Sequence, residues 1–171
     1  EDKVDRDSKT VELAEKTSSE LNSLSLTNDQ LSECVHLLIT HALSSTTGNQ
    51  SREISELGKL FSRPPLTTAF LSALASHTLP TLGSLESTYM CVKSNLSVMI
   101  ATALCDQVLG FGELSVPLRH GSHYPLFFLC MQHVARMRSP EWLRENLTQA
   151  RLSLIDMLPP AHQGDERTPK E

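Results

Sequence analysis

The stretch GSHYPLFFLCMQHVARMRSPEWL, residues 121–143, decides the fold. Phe127, Cys130, Met131, Val134 and Met137 recur at spacings of three and four, which puts them on one face of a helix. The pattern breaks at Ser139-Pro140. Serine offers a side-chain oxygen to the orphan N–H groups of a new helix, and proline at the first helical position has no N–H to waste. That next helix is predicted over 140–158, with Leu143, Leu147, Ala150, Leu154 and Met157 turned inward and Pro159-Pro160 ending it. So short a turn between two helices predicts an antiparallel hairpin.

The same periodicity extends upstream. A long helix is predicted over 86–109, with Val92, Leu96, Met99, Ile100 and Ala103 along its core face and Gly110 and Gly112 at its end. A short turn at 113–117 and the loop RHGSH then lead into the opening stretch. Before the long helix, TLPTLGSLES reads as a connection punctuated by Pro80 and Gly83. Pro64-Pro65 separates a helix near 51–62 (Ile54, Leu57, Phe61) from one with Leu66, Phe70, Ala73 and Leu74 inward. Thr27 and Gln30 have capping-box spacing ahead of Leu31, Cys34, Val35, Leu38 and Ala42. A weaker first helix is predicted over 9–24, through Val11, Ala14 and Leu21. No segment alternates with a period of two over a strand's length. The expectation is an all-α fold, a HEAT-like stack of antiparallel helix hairpins or a compact bundle. Residues 1–8 read as a charged, disordered lead-in, 9–159 as one all-helical domain and 160–171 as a flexible polar tail.

Composition narrows the function. The chain has 171 residues and 39% hydrophobic content but only 5% aromatics, so aliphatic side chains must fill the core. A formal net charge of −5 gives no overall electrostatic footprint for nucleic acid. No apolar run is long enough to span a bilayer, and the charged start, EDKVDRDSKT, lacks the apolar core of a signal peptide. These features predict a cytoplasmic protein with no membrane partner. Cys34, Cys91, Cys105 and Cys130 are expected to be buried thiols of a reducing compartment. The sequons at Asn49, Asn95 and Asn146 are then chance.

Reactive constellations are scarce. His120, His123, Cys130 and His133, read as H-x2-H, a gap of six and C-x2-H, are all residue types that ligate zinc. However, Cys130 falls on the inward face of its helix and the first two histidines fall in a loop, so loop histidines plus a core cysteine is the reading adopted. His36 and His41, five apart, do not meet on a helix and read as surface or boundary residues. There is no nucleophile elbow and no glycine-rich phosphate loop. The expectation is a non-enzymatic protein with no cofactor. Arg136, Arg138, Arg144 and Arg151 gather around the last helix pair, with Arg119 and His120 before it. They form either a solvated face or a local basic patch for an acidic partner or an RNA backbone. Trp142, the sole tryptophan, is expected to pack the first turn of the last helix.

These residues also carry a resemblance. GSHYPLFFLCMQHVARM followed by EWL, with VKSNL (92–96), ATALCDQVLGFGELSVPL (101–118) and DMLP (156–159), resembles the MA-3 domain of the eukaryotic initiation factor 4G family. Within that family it looks most like the death-associated, cap-independent branch. The likeness covers 85–159, and is looser through LLITHAL (37–43) and FLSAL (70–74). It implies an α-helical stack acting as a protein-binding scaffold in regulating translation initiation, with partners in the initiation machinery. In several family members the domain docks on the initiation-factor 4A helicase through acidic residues in the loop before the central helix. Here that loop is PTLGSLESTYM, where Thr88 stands in place of an expected aspartate and Glu86 is the nearby acid. The partner surface expected from this reading is the loop 81–88, with Glu86 and Thr88, then Lys93 and Asp106 beside it, and a basic face around Arg136 and Arg144. An RNA-contacting helical repeat using the arginine patch is the alternative.

Overall fold

The computed structural model describes residues 16, 19–20, 23–44 and 50–162. Among them, all regular structure is helical. The predicted helix 9–24 lies almost wholly outside the described residues. The helices are α1 (Asn28–Ser44), α2 (Gln50–Phe61), α3, α4 (Val92–Cys105), α5 (Phe111–Leu118), α6 (Leu126–Met137) and α7 (Pro140–Gln149). Helix α3 is composite: Leu66–Ala73, a π turn at Leu74–Thr78, and Leu79–Thr88.

The capping box forms as its spacing requires. Thr27 N–H donates to Gln30 Oε1 at 3.0 Å, and Gln30 N–H donates to Thr27 Oγ1 at 3.3 Å. The face of α1 is rotated from expectation, however. Ser32, Val35, Ile39, Ala42 and Leu43 are buried, whereas Cys34 and Leu38 are exposed. With LLI at 37–39, periodicity admits two adjacent stripes, and packing against α3 selects the one through Ile39.

The predicted connection at TLPTLGSLES is helix. The backbone stays right-handed helical from Ala73 (φ −61°, ψ −41°) through Leu79 (φ −64°, ψ −44°). Pro80 has no N–H to donate, and its ring would crowd the carbonyl four residues back. The π turn, in which Leu79 N–H reaches back five residues to Leu74 O, lets the helix continue past it. The real break comes at Tyr89–Cys91, where Tyr89 is extended and Cys91 is left-handed at φ 62°. Residues 86–88 therefore end α3 rather than start α4.

Helix α4 also ends earlier than expected, at Cys105. Gln107 turns left-handed (φ 58°), with Gln107 N–H donating to Leu104 O at 3.1 Å and Val108 N–H to Ala103 O at 3.0 Å. Helix α7 closes in the same way and stops at Gln149, not 158. Arg151 adopts φ 52°, its N–H donates to Thr148 O at 3.0 Å, and Leu152 N–H donates to Leu147 O at 3.1 Å. Both are Schellman turns built without glycine, so the usual signal for a helix end was missing. Leu154 and Met157, in register by spacing alone, belong to a separate 3₁₀ turn, in which Met157 is buried and Leu154 is exposed. The segment 113–117 is likewise helical, inside α5. Gly110 begins that helix, its N–H donating to Glu113 Oε2 at 2.9 Å.

Alternate helices pack most closely: α1 on α3, α2 on α4, and α4 on α6. This is the pattern of stacked hairpins, in which each layer is made of every second helix, and it is compatible with HEAT-like stacking. Helix α4 is the hub. Leu96, Ser97 and every residue from Met99 to Cys105 are buried, because neighbours cover it on both sides. In α6, Phe127, Cys130, Met131 and Val134 are inward as expected, whereas Met137 is 43% exposed. Ser139 accepts from Trp142 N–H at 3.1 Å, with Pro140 opening α7. Leu143, Leu147 and Ala150 reach the core only partly. Of the cysteines, Cys105 and Cys130 are buried, while Cys34 and Cys91 are exposed, contrary to expectation.

Candidate functional site

The break between α3 and α4 builds the clearest site. Helix α3 presents Glu86 in its last turn and α4 presents Lys93 in its first, and their side chains meet at 3.0 Å. Lys93 Nζ also donates to Tyr124 O at 2.8 Å, tying both helices to the loop before α6. The result is an open groove of about 440 Å³ lined by Glu86, Thr88, Met90, Lys93, Pro125 and Leu129, among others. Thr88 donates from Oγ1 to Ser84 O at 3.1 Å, so its hydroxyl serves its own helix. Met90 stands at the rim with 89% of its surface exposed, an apolar side chain in a turn that offers it no partner helix. Three of the expected residues thus converge. Met90 was not anticipated, because the turn at 89–91 contains neither glycine nor proline to announce it, and Pro125 and Leu129 were not, because they come from a distant segment.

The other expected residues lie elsewhere. Asp106 follows the far end of α4, about 20 Å along the helix from Lys93, so it is not beside the loop as supposed. Its neighbour there is Arg138, whose Nη2 donates to Cys105 O at 2.8 Å and so caps the C-terminal end of α4. The same guanidinium lies 5.8 Å from the Trp142 ring centroid, and the Phe111 ring centroid lies 6.1 Å from it. Trp142 therefore packs its turn, as the sequence suggests. Arg136, Arg138 and Arg144 are all exposed, and of the three Arg138 is the one that hydrogen-bonds the end of α4.

The zinc-like spacing does not assemble. Among the described residues, no three His, Cys, Asp or Glu side chains are grouped closely enough to hold a metal ion. Burial pushes the Cys130 thiol far above its ordinary range, so it stays protonated. His120 and His123 sit in the loop with left-handed backbones at φ 57°.

Three histidines are held below their usual 6.5, chiefly by burial. His36 also faces His77, with Glu33 opposing; His123 faces Lys93, with Glu86 opposing; and His133 faces Arg136. Because their folded pKa values are lowered, the unfolded chain binds more protons below pH 6.5. Stability should therefore be complete above that pH and decline as pH falls through the folded values. Melting temperatures between pH 7.5 and about 5 would show this. His36→Gln, which can still hydrogen-bond Thr78 Oγ1 (3.1 Å from His36 Nδ1), should flatten part of the slope. An unchanged slope in that variant would remove His36 from the account.

The geometry is thus an all-α helical stack with an open, partly charged groove at the junction of α3 and α4. The chain is 38% identical over 76 residues to eukaryotic translation initiation factor 4 gamma 2 from Mus musculus, Homo sapiens and Oryctolagus cuniculus. The matched segment covers 44% of this chain and 8% of the length of each relative. This chain thus contains a region similar to initiation factor 4 gamma. No family model matches it. No helix among the described residues is long and apolar enough to cross a membrane.

Proposed function

We propose that this chain is a non-enzymatic, protein-binding scaffold module of the MA-3 type in the regulation of translation initiation, related to the death-associated, cap-independent branch of the initiation factor 4G family. Its working unit is residues 9–159 and its setting is the cytoplasm. The observation that carries the reading is the Glu86–Lys93–Tyr124 cluster, which supports a docking groove at the end of α3, in the stretch where the resemblance puts helicase contacts. Similarity to initiation factor 4 gamma 2 supports partners in the initiation machinery.

Thr88 sets the expected strength. A carboxylate at this position would offer a charge-assisted hydrogen bond, which contributes about 1.5–3 kcal/mol where it forms. Thr88 instead spends its hydroxyl on Ser84 O. Titration with purified initiation-factor 4A, at low and physiological salt, should give weak binding that Thr88→Asp strengthens about tenfold or more. Equal affinities for the two proteins would remove position 88 from the interface. Absence of binding by both would remove the helicase as partner.

A further inference from the structure

The last helix leaves an apolar face half covered. No residue of α7 is buried. The turn at Arg151 folds the following segment back, so that Leu152 and Leu154 lie with Pro140, Leu143, Arg144 and Leu147 around a groove of about 320 Å³. Leu154 is 45% exposed. No carboxylate lines the groove, whereas the Arg144 side chain does, and the exposed Arg151 stands at the turn that closes it. Glu141, one helical turn before Arg144, is held low first by hydrogen bonds from its own backbone and from Ser139 and only then by Arg144. Its charge thus serves the helix start.

We propose that this groove docks a protein segment whose apolar residues are flanked by Asp or Glu. The leucines would take the apolar side chains, and Arg144 and Arg151 the carboxylates, an arrangement in which charge selects the partner and apolar contact holds it. The surface is separate from the groove at Lys93 and does not depend on the reading given to that groove. A single-stranded RNA fits less well. Such ligands stack their bases on aromatic side chains, and no aromatic side chain lines this groove; Trp142 packs near Phe111 and Arg138 instead.

The test uses the whole chain and three fluorescent probes: an amphipathic peptide of Leu and Glu, its counterpart with Lys for Glu, and an oligouridine. The acidic peptide should bind and the basic one should not. Arg144→Glu with Arg151→Glu should weaken binding about tenfold or more, and Leu154→Ser should weaken it at unchanged charge. All three positions are exposed, so circular dichroism and melting should match wild type, which separates lost docking from lost fold. Failure of the acidic peptide to bind, or binding indifferent to these variants, overturns the proposal. Salt-dependent oligouridine binding abolished by the arginine substitutions, with no peptide binding, overturns it in favour of RNA.

Discussion

Gly121→Ala is expected to destabilise the fold by about 3 kcal/mol or more and to lower the melting temperature by roughly 10 °C. Gly121 has φ +74°, and a Cβ there would lie 2.5 Å from Pro159 N and 2.6 Å from Pro159 Cα. Both atoms are backbone, so no side-chain rotation relieves the contact. Either the loop before α6 or the segment leaving the 3₁₀ turn must move. The damage would spread to the Lys93 groove, because Tyr124 O, which receives Lys93, is three residues away. Gly83→Ala is the control. Nothing lies within 4 Å of a Cβ at Gly83, which sits inside α3, and exchanging glycine for alanine in a helix should stabilise by about 0.5–1 kcal/mol. Thermal melts of the two variants should move in opposite directions. A Gly121→Ala protein that melts like wild type would mean that 121 and 159 are not in contact.

Phe70→Ala should cost about 3–5 kcal/mol, a large share of the roughly 5–15 kcal/mol that holds a typical domain together. Phe70 and Phe61 are both fully buried and stack at 5.2 Å, 12° from parallel, joining α2 to α3. Truncation leaves a cavity between two helices that also pack on α4 and α1, so the surroundings have little freedom to collapse. Urea denaturation should show a lowered midpoint with unchanged slope. Leu147→Ala is expected to cost clearly less, because Leu147 is only half-buried on the outermost helix. Equal losses in the two variants would mean that α7 is as deeply packed as the core.

The elements announced by strong periodicity or by capping residues were legible in advance. Thr27 with Gln30, Ser139 with Pro140, and the Phe127–Cys130–Met131–Val134 face all stand where their spacing puts them. Where legibility failed, the cause is specific. Pro80 and Gly83 look like breakers, yet a π turn absorbs the missing N–H of the proline and the helix runs on. Gln107 and Arg151 end helices in a left-handed conformation usually given to glycine, and Tyr89-Met90-Cys91 breaks α3 from α4 with no breaker residue at all. Leu154 and Met157 continue a helical spacing through a segment that has already turned.

The sites divide along the same line. Glu86, Thr88 and Lys93 are near in sequence, so resemblance and proximity were enough to associate them, and the structure joins Glu86 to Lys93 directly. Asp106, thirteen residues on from Lys93, was misplaced because a helix carries residues apart at 1.5 Å each. By itself the sequence determined the all-α class and the core stripes of α4 and α6, because helical periodicity and caps are local properties of the chain. Tertiary structure alone decided which stripe of α1 is buried, that Arg138 closes the end of α4, and that Lys93 reaches the carbonyl of Tyr124. Each of these depends on atoms brought together from distant positions, and no local pattern encodes that meeting.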